Sequence, residues 1–276
     1  MQSQRIIKYQ RDQQSIQEDQ LSIEAPLEIQ IVSGSGPQRH KHSLAVTMRT
    51  PGQDAALALG FLYTEGIISR IEDVVSRKRP QRLGKIRIEN VLEVHLDPAL
   101  DIDLNQLNRH FYTSSSCGVC GKASIDMVSQ HITHLLPRTQ PTLHPQLIYQ
   151  MPDHMLEYQR NFHRTGGLHG VGLFDAGGQC LFCYEDVGRH NAMDKLIGAA
   201  LDQNLLPLKN HIVMVSGRAS FELVQKALMA GIPVLAAVGA PSSLAVELAD
   251  AHGMTLIGFV KRDSFNIYSG AERFKT

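Results

Sequence analysis

Between His211 and Val260, short apolar runs alternate with amphipathic segments, and this alternation constrains the fold more than any other feature of the sequence. The spacing predicts strands at 211–215, 233–238 and 255–260, with helices at 220–230 and 244–251. A βαβαβ unit of this kind makes parallel strands joined by right-handed crossovers. The sequence therefore predicts an α/β domain whose ligands bind beyond the carboxyl ends of the strands.

The same domain is predicted to begin near residue 166 and to run to the end of the chain at residue 276. A hairpin of 170–174 and 180–184 is expected around the turn residues Ala176, Gly177 and Gly178. The segment 190–203 repeats apolar residues at helical spacing and is expected to pack on the core.

A smaller α+β subdomain is predicted over residues 21–110. Its strands 27–32 and 43–49 are expected to form a hairpin. Thr50 is the predicted N-cap of the next helix, with Pro51 at the first helical position and an apolar run at 55–62 that ends near Gly66. The remaining expectations are a flexible tail at 1–20, a second hairpin of 86–88 with 91–96, and a region 124–165. That region is expected to contain a helix (124–136) followed by a proline-rich linker (137–152) broken by short structure.

The charge balance excludes some classes of partner. Lys and Arg number 27 and Asp and Glu number 27, so no global field attracts nucleic acid or an anionic membrane. The polar first 20 residues lack the apolar core of a secretory signal, and no run approaches the roughly 20 apolar residues that span a bilayer. The sequence therefore predicts a cytoplasmic protein with no nucleic-acid or membrane partner.

Four cysteines fall into two Cys-x-x-Cys pairs. Cys117 and Cys120 lie in a predicted mobile loop, 111–123, that is rich in Ser and Gly. The loop also contains Lys122, and a predicted helix follows it. A nearby cation and helix amides stabilise the thiolate, so this pair is expected to be reactive. Cys180 and Cys183 lie in a predicted strand, where alternation would point them to opposite faces, and they are expected to pack in the core.

Two other readings of the cysteines compete with a reactive sulfur carrier. A thioredoxin-like dithiol has the right spacing, but no clear strand leads into a cysteine-bearing helix. A four-cysteine zinc site would need a gap of roughly 15–20 residues between its knuckles, and the gap from Cys120 to Cys183 is far longer. No permanently bound metal is predicted.

Polar residues gather at two predicted strand ends, where a ligand with phosphate groups would meet helix amides and cations. The first group is Glu185, Asp186, Arg189 and His190, for which either a ligand or an interdomain role is expected, and the second is Ser216, Arg218 and Ser220. Lys261 follows the last strand at the same predicted edge. His169 fits either a site or a core residue, and Ser242 and Ser243 fit either helix caps or ligand contacts.

Three segments together resemble the formate dehydrogenase accessory sulfurtransferase (FdhD) family. They are Ser-Ser-Cys-Gly-Val-Cys-Gly (115–121), Glu-Asp-Val-Gly-Arg-His-Asn-Ala-Met-Asp-Lys (185–195) and Ser-Gly-Arg-Ala-Ser-Phe-Glu-Leu-Val-Gln-Lys (216–226). Thr-Pro-Gly-Gln-Asp near the start and Gly258-Phe259-Val260-Lys261 near the end are also similar. The resemblance runs in order across most of the chain.

The resemblance implies a cytidine-deaminase-like three-layer domain, without deaminase chemistry, over residues 166–276. It also implies transfer of sulfur from a cysteine desulfurase to the molybdenum or tungsten bis(molybdopterin guanine dinucleotide) cofactor, a bound cargo, for apo formate dehydrogenase. A homodimer is expected. Cys117 would hold a persulfide and Cys120 would support or relay it. The cofactor contacts would be Phe259, Val260, Lys261, Arg262, Asp263 and Ser264. The alternative is a non-catalytic cofactor chaperone, in which the cysteines would be dispensable.

Overall fold

The computed structural model describes residues 1–36, 39–80, 82–83, 86–87, 89–100 and 132–275. The predicted cysteine loop, 111–123, therefore lies outside the described residues, together with Cys117 and Cys120. Residues 124–131 of the predicted helix also lie outside them. The described remainder of that prediction, 132–136, has no regular secondary structure.

The polar amino-terminal residues form a β hairpin, which corrects the predicted flexible tail. Strands β1 (Gln2–Gln10) and β2 (Gln13–Leu21) pair antiparallel along their whole length. Ile7 faces Ile16 across the pair, and both side chains are 59% exposed. The sequence did not reveal the hairpin because these apolar residues are isolated among polar ones and give no alternating pattern.

A four-stranded sheet follows, with strand order β4-β3-β8-β5. Its strands are β3 (Ala25–Ser33), β4 (His40–Arg49), β5 (Val74–Lys78) and β8 (Val91–Leu96), and the short pair β6 (Arg82–Leu83) and β7 (Ile86–Arg87) lies between β5 and β8 in the chain. The predicted β3–β4 hairpin is confirmed. The second predicted hairpin is wrong, because β7 pairs with β6 while β8 pairs parallel to β3 and antiparallel to β5.

Helix α1 (Asp54–Thr64) begins later than predicted. Its N-cap is Gln53, in a left-handed conformation, and not Thr50. Thr50 instead connects the two halves of the molecule: its N–H donates to Asp186 Oδ2 over 3.1 Å, and its Oγ1 accepts from the Val187 N–H over 3.0 Å. The polar turn at 185–190 is therefore fixed partly by the amino-terminal subdomain.

The carboxy-terminal half contains a mixed six-stranded sheet with strand order β10-β9-β11-β12-β13-β14. Its strands are β9 (His169–Phe174), β10 (Cys180–Asp186), β11 (Ile212–Val215), β12 (Val234–Ala237), β13 (Thr255–Gly258) and β14 (Asn266–Ser269). The helices are α2 (Pro145–Tyr158), α3 (Arg160–Thr165), α4 (Arg189–Asp202), α5 (Phe221–Met229) and α6 (Ser243–Ala251). The predicted βαβαβ unit is confirmed, because β11, β12 and β13 run parallel.

The predicted proline-rich linker, 137–152, is wrong in its second half, which is helical. Pro145 occupies the first turn of α2, where a missing N–H costs nothing, and Pro152 lies inside the same helix. Ile148, Met151 and Met155 are buried on the six-stranded sheet. Burial of this apolar face therefore outweighs the helix-breaking tendency of Pro152.

Two apolar clusters cover the two faces of the six-stranded sheet. Helix α2 and the sheet residues Phe174, Met214 and Ile257 form the smaller cluster. The larger cluster contains α1, α4, α5 and α6 and continues into the inner face of the four-stranded sheet. The two halves thus share one core. Among the described helices, none has the length and apolarity needed to cross a bilayer.

Helices α1 and α4 approach each other closely at two glycines. A Cβ built on Gly60 would lie 1.9 Å from the carbonyl oxygen of Asp194, and one built on Gly198 would lie 1.9 Å from the carbonyl oxygen of Ala56. No real Cβ tolerates such a distance, so this crossing requires glycine on both helices. The crossing holds the amino-terminal subdomain against the helix that begins at the polar 185–190 turn.

Candidate functional site

Three loops meet at the carboxyl ends of β11, β12 and β13. These strand-end loops are 216–220, 238–243 and 259–264. Backbone hydrogen bonds join each to its neighbour: Gly239 N–H donates to Gly217 O over 2.9 Å, and Phe259 N–H donates to Gly239 O over 3.1 Å. The sheet topology therefore brings the predicted segments 216–220 and 259–264 to one edge, with 238–243 between them.

Glycines allow the close approach of these loops. A Cβ on Gly239 would lie 3.0 Å from the Arg218 Cα, and a Cβ on Gly258 would lie 2.8 Å from Pro241 Cδ. Ser242 accepts from Ala245 N–H over 3.3 Å, so of its two sequence interpretations the helix cap is the one observed.

Phe259 presents an aromatic ring at this edge. Its φ is 54°, in the left-handed region that bulky residues rarely adopt, and its side chain is 42% exposed. Val238, in the neighbouring loop, is 39% exposed, and Arg218 is also exposed. A strained, exposed aromatic side chain on a loop that adjoins the loop of Val238, which in turn adjoins the loop of Arg218, is suited to stack on a planar ring that carries anionic groups.

The rest of the 259–264 segment divides into buried and exposed residues. Val260 is 2% exposed and packs in the smaller apolar cluster, which contains α2. Its side chain therefore cannot make the predicted contact with the cofactor. Lys261 N–H donates to Ser264 O over 2.8 Å and closes a turn. Asp263 accepts from the Ser264 hydroxyl over 3.1 Å.

Arg262 lies on the outside of that turn. Its guanidinium donates to both carboxylate oxygens of Asp153, over 3.0 and 3.2 Å, and its side chain is 83% exposed. An ion pair this exposed contributes little to stability. The guanidinium can therefore exchange Asp153 for an anionic ligand at small cost.

Of the two roles expected for Asp186, the structure shows the interdomain one and corrects the predicted cofactor contact. Its side chain is fully buried against Lys195, with a carboxylate-to-ammonium distance of 2.6 Å. It also accepts from the amides of Thr50 and Gly188 and from the Asn191 side chain. All of its acceptor capacity is used within the protein, so Asp186 holds the turn in place and does not face a ligand.

Glu185 is likewise occupied by the protein. Its carboxylate accepts from the Asn161 N–H over 3.0 Å and from the Phe162 N–H over 2.7 Å, at the first turn of α3. A carboxylate at that position satisfies free helix amides. The predicted cofactor contact by Glu185 is therefore corrected to a contact between β10 and α3.

His190 and Ser220 join the 185–190 turn to the first strand-end loop. Their Nε2 and Oγ atoms are 3.2 Å apart, and Glu222 Oε2 lies 3.4 Å from the same Nε2. Burial, together with the nearby cations Arg189 and Lys226 and with His169, lowers the pKa of His190 to about 3. The imidazole is therefore neutral at physiological pH and acts as a hydrogen-bonding group.

Arg189 and His169 complete this group. The Arg189 Nε is buried and has no hydrogen-bond partner among the described residues. Burial, followed by the charge of Arg189, lowers the pKa of His169. Ser216 Oγ accepts from Gly170 N–H over 2.9 Å and so fastens the loop to β9. Of the predicted polar residues, Arg189, His190 and Ser220 adjoin one another.

Sequence reasoning missed Glu222 and left His169 undecided. Both adjoin the 189–190 turn, although they lie in separate elements. Neither residue has a local sequence signal, because folding alone brings them to the turn. The helix dipole favours an acidic residue in the first turn of a helix, so Glu222 in the first turn of α5 did not stand out in the sequence.

Cys180 and Cys183 face the same apolar cluster, which corrects the predicted opposite orientation. The register of β10 against β9 shifts between Cys180 and Phe182, and this irregularity breaks the alternation. Burial raises the pKa of the Cys180 thiol to about 11 and, with smaller contributions from Cys180 and Glu185, that of Cys183 to about 12. Both are packing residues with little thiolate character.

The described residues contain no group of three or more His, Cys, Asp or Glu side chains arranged to hold a metal ion. The chemistry at the strand-end edge is that of cations, hydroxyls, a neutral histidine and an exposed aromatic ring.

Comparisons with known proteins place this geometry in context. The FdhD/NarQ family model matches residues 3–275. A protein of Mycobacterium bovis named sulfur carrier protein FdhD is 47% identical over 268 residues, covering 95% of this chain and 94% of its own. A protein of the same name from Sulfurisphaera tokodaii is 39% identical, covering 98% of this chain and 97% of its own.

A solved structure shares the fold. The crystal structure of a protein from Desulfotalea psychrophila, described as a formate dehydrogenase accessory protein, superposes with a TM-score of 0.72 and covers 99% of this chain and 98% of its own. Its sequence identity is 21%, so the likeness supports the mixed α/β fold alone.

Proposed function

Because the chain belongs to the FdhD/NarQ family, we propose that it is a sulfur carrier that serves formate dehydrogenase maturation. Cys117 takes sulfane sulfur from a cysteine desulfurase as a persulfide. The recipient is the molybdenum or tungsten bis(molybdopterin guanine dinucleotide) cofactor, which is substrate and cargo. The observation that carries the proposal is the strand-end edge, where Phe259, Arg218 and Arg262 are exposed on adjoining loops.

The edge offers chemistry that suits a guanine dinucleotide. The exposed Phe259 ring can stack on a purine, because every base has a π face. Arg218, Lys261 and Arg262 supply cations for phosphate groups, and Arg262 exchanges its exposed partner at little cost. Arg189 and His190, on the 185–190 turn, adjoin Ser220 of loop 216–220 and add hydrogen-bonding groups.

The loading step conserves electrons. The Cys117 thiolate attacks the outer sulfur of the desulfurase persulfide, the sulfur–sulfur bond breaks, and the desulfurase cysteine leaves as a thiolate. Delivery as sulfide requires two electrons. Cys120 supplies them when its thiolate attacks the inner sulfur of the Cys117 persulfide and closes a Cys117–Cys120 disulfide, which a dithiol reductant later reopens.

The remaining expectations of the family belong to the same proposal. They are a cytidine-deaminase-like carboxy-terminal domain, a homodimer and a cytoplasmic location. The strand order of the six-stranded sheet, with an antiparallel pair beside three parallel strands, supports the first of these.

We expect sulfur to load on Cys117. After incubation with a cysteine desulfurase and cysteine, mass spectrometry should find one added sulfur atom on the peptide that contains Cys117, and Cys117→Ala should abolish it. Cys183→Ala is the matched control and should load as the wild type does, because burial keeps that thiol protonated. Full loading of Cys117→Ala would overturn the assignment.

A variant that lacks both loop cysteines separates sulfur transfer from the alternative, a cofactor chaperone without sulfur chemistry. A double Cys117→Ala/Cys120→Ala variant should bind the cofactor but leave formate dehydrogenase inactive. Full maturation by the double variant would favour the chaperone.

A further inference from the structure

The packing that buries the inner face of the four-stranded sheet leaves part of its outer face exposed, although the Glu93 and His95 side chains on that face are only 13% and 12% exposed. Strand register places Lys41, Val46 and Met48 of β4 on this outer face, because they lie opposite Val32, Glu28 and Pro26 of β3. Val46 is 67% exposed and Met48 is 48% exposed. Glu93 and His95 of β8 and Lys78 of β5 continue the same face across the sheet. These six residues, Lys41, Val46, Met48, Lys78, Glu93 and His95, define the docking face.

Cations surround one end of the docking face. Arg39, directly before β4, contacts His95 Nδ1, and Lys41 contacts Glu93 Oε1. Arg39 and Lys78 are both exposed. Burial, followed by the charges of Arg39 and Lys78, lowers the pKa of His95, which shows that both cations lie within electrostatic reach of its ring. Two carboxylates share the face with these cations: Glu93, whose partner is Lys41, and Glu28 of β3, which lies opposite Val46 and whose pKa is lowered by side-chain hydrogen bonds and, to a smaller extent, by the charge of Lys41.

The sequence concentrates positive charge here although the whole chain is neutral. Residues 39–42 and 74–88 contain no Asp or Glu. They contain Arg39, Lys41, Arg77, Lys78, Arg79, Arg82, Lys85 and Arg87. Arg77 is paired with Asp202 and Arg79 with Asp54, whereas Arg39 and Lys78 are exposed and form no ion pair with a carboxylate among the described residues.

The exposed apolar residues and cations of the docking face indicate which class of partner it binds. Exposed Val46 and Met48, toward the other end of β4 from these cations, offer apolar contact area, which a nucleic-acid backbone does not use and a protein surface does. Four strands at about 4.8 Å spacing and up to ten residues long give a face on the order of 500 Å². That area suits a transient protein complex whose encounter is guided by charge.

We propose that the docking face, flanked by Arg39 and Lys78, binds an acidic surface of apo formate dehydrogenase. The inference rests on the proposed function, since a sulfur carrier must meet its client and release it. The docking face belongs to the amino-terminal subdomain, so it leaves the strand-end edge free to present its cargo.

Charge reversal tests the proposal. Arg39→Glu/Lys78→Glu should weaken binding to purified apo formate dehydrogenase from the same genome at least tenfold in 50 mM salt and flatten its salt dependence, as expected for steering charges. Lys8→Glu/Lys209→Glu changes the net charge equally at exposed positions elsewhere, and its Kd should stay within twofold of the wild type. Both variants keep the Lys41–Glu93 pair, and matching thermal transitions show that they are folded.

The outcomes distinguish this proposal from the proposed function. Arg39→Glu/Lys78→Glu should still load sulfur on Cys117, while Cys117→Ala should still bind the client. Unchanged binding by Arg39→Glu/Lys78→Glu, or equal weakening by the Lys8/Lys209 control, would overturn the docking face without touching the sulfur chemistry. Loss of loading in Cys117→Ala with retained client binding would support both.

Discussion

Gly198→Ala is expected to lower the free energy of unfolding by about 3 kcal/mol or more, a cost at the upper end for overpacking a core. The new Cβ would lie 1.9 Å from the Ala56 carbonyl oxygen, and backbone atoms of α1 cannot rotate away as a side chain can. Helices α1 and α4 would have to separate, and both sheets pack against them. Equilibrium unfolding in urea measures the change.

Gly167→Ala is the matched control for that substitution. Gly167 is exposed, and its Cβ would meet the Ser22 hydroxyl at 3.5 Å, an ordinary contact. Its unfolding free energy should change by less than about 1 kcal/mol. Equal stability of Gly198→Ala and Gly167→Ala would contradict the close crossing of α1 and α4.

Lys226→Met should destabilise the protein by about 3 kcal/mol at pH 7.5, because the substitution leaves the buried carboxyl group of Asp194 without its cation. Lys226 Nζ lies 3.0 Å from Asp194 Oδ1 and donates to Thr64 Oγ1, which in turn donates to Asp194. Burial lowers the pKa of Lys226, but Asp194, Glu65 and Glu222 outweigh it and raise that pKa. The ammonium therefore stays charged between three helices.

The pH dependence of this variant has a definite sign. Burial raises the pKa of Asp194 to about 6, although Lys226 opposes the shift. A carboxyl group whose folded pKa is raised favours the folded state at low pH, and this contribution is lost as pH rises through the folded pKa. Removal of Lys226 raises that pKa further, so the deficit relative to the wild type should shrink between pH 7.5 and pH 5.5.

Urea unfolding at the two pH values checks this expectation. Lys209→Met, at an exposed lysine, is the control and should change stability by less than about 0.5 kcal/mol at both. A deficit that is the same at pH 5.5 as at pH 7.5 would show that Asp194 is not the group left uncompensated.

The sequence predicted the carboxy-terminal sheet well because its strands are buried on both faces. The strands at 212–215, 234–237 and 255–258 are continuous apolar runs, and the helices between them have apolar stripes. The amino-terminal hairpin gave no such signal, since it has only isolated apolar residues. Pro152 suggested a linker, and only tertiary packing of α2 shows why the segment is helical.

The candidate site was predictable in position but not in the roles of its residues. The predicted βαβαβ topology placed 216–220 and 261–264 at one edge, and the family resemblance added Phe259 and Val260. The sequence could not show that Asp186 is buried by Lys195 and Thr50, because Thr50 lies in the other half of the chain. The orientation of Cys183 depended on a single irregularity in β10, which alternation cannot anticipate.

The fate of a sulfur label in a single turnover tests whether Cys117 delivers its sulfur to the cofactor. The protein would be loaded with ³⁵S on Cys117, freed of donor and mixed with the guanine dinucleotide cofactor and apo formate dehydrogenase. We expect the label to leave Cys117 and to appear in the cofactor of active enzyme, and we expect Phe259→Ala, which should load normally, to transfer the label more slowly. Active enzyme formed while the label stays on Cys117 would contradict sulfur transfer from this cysteine.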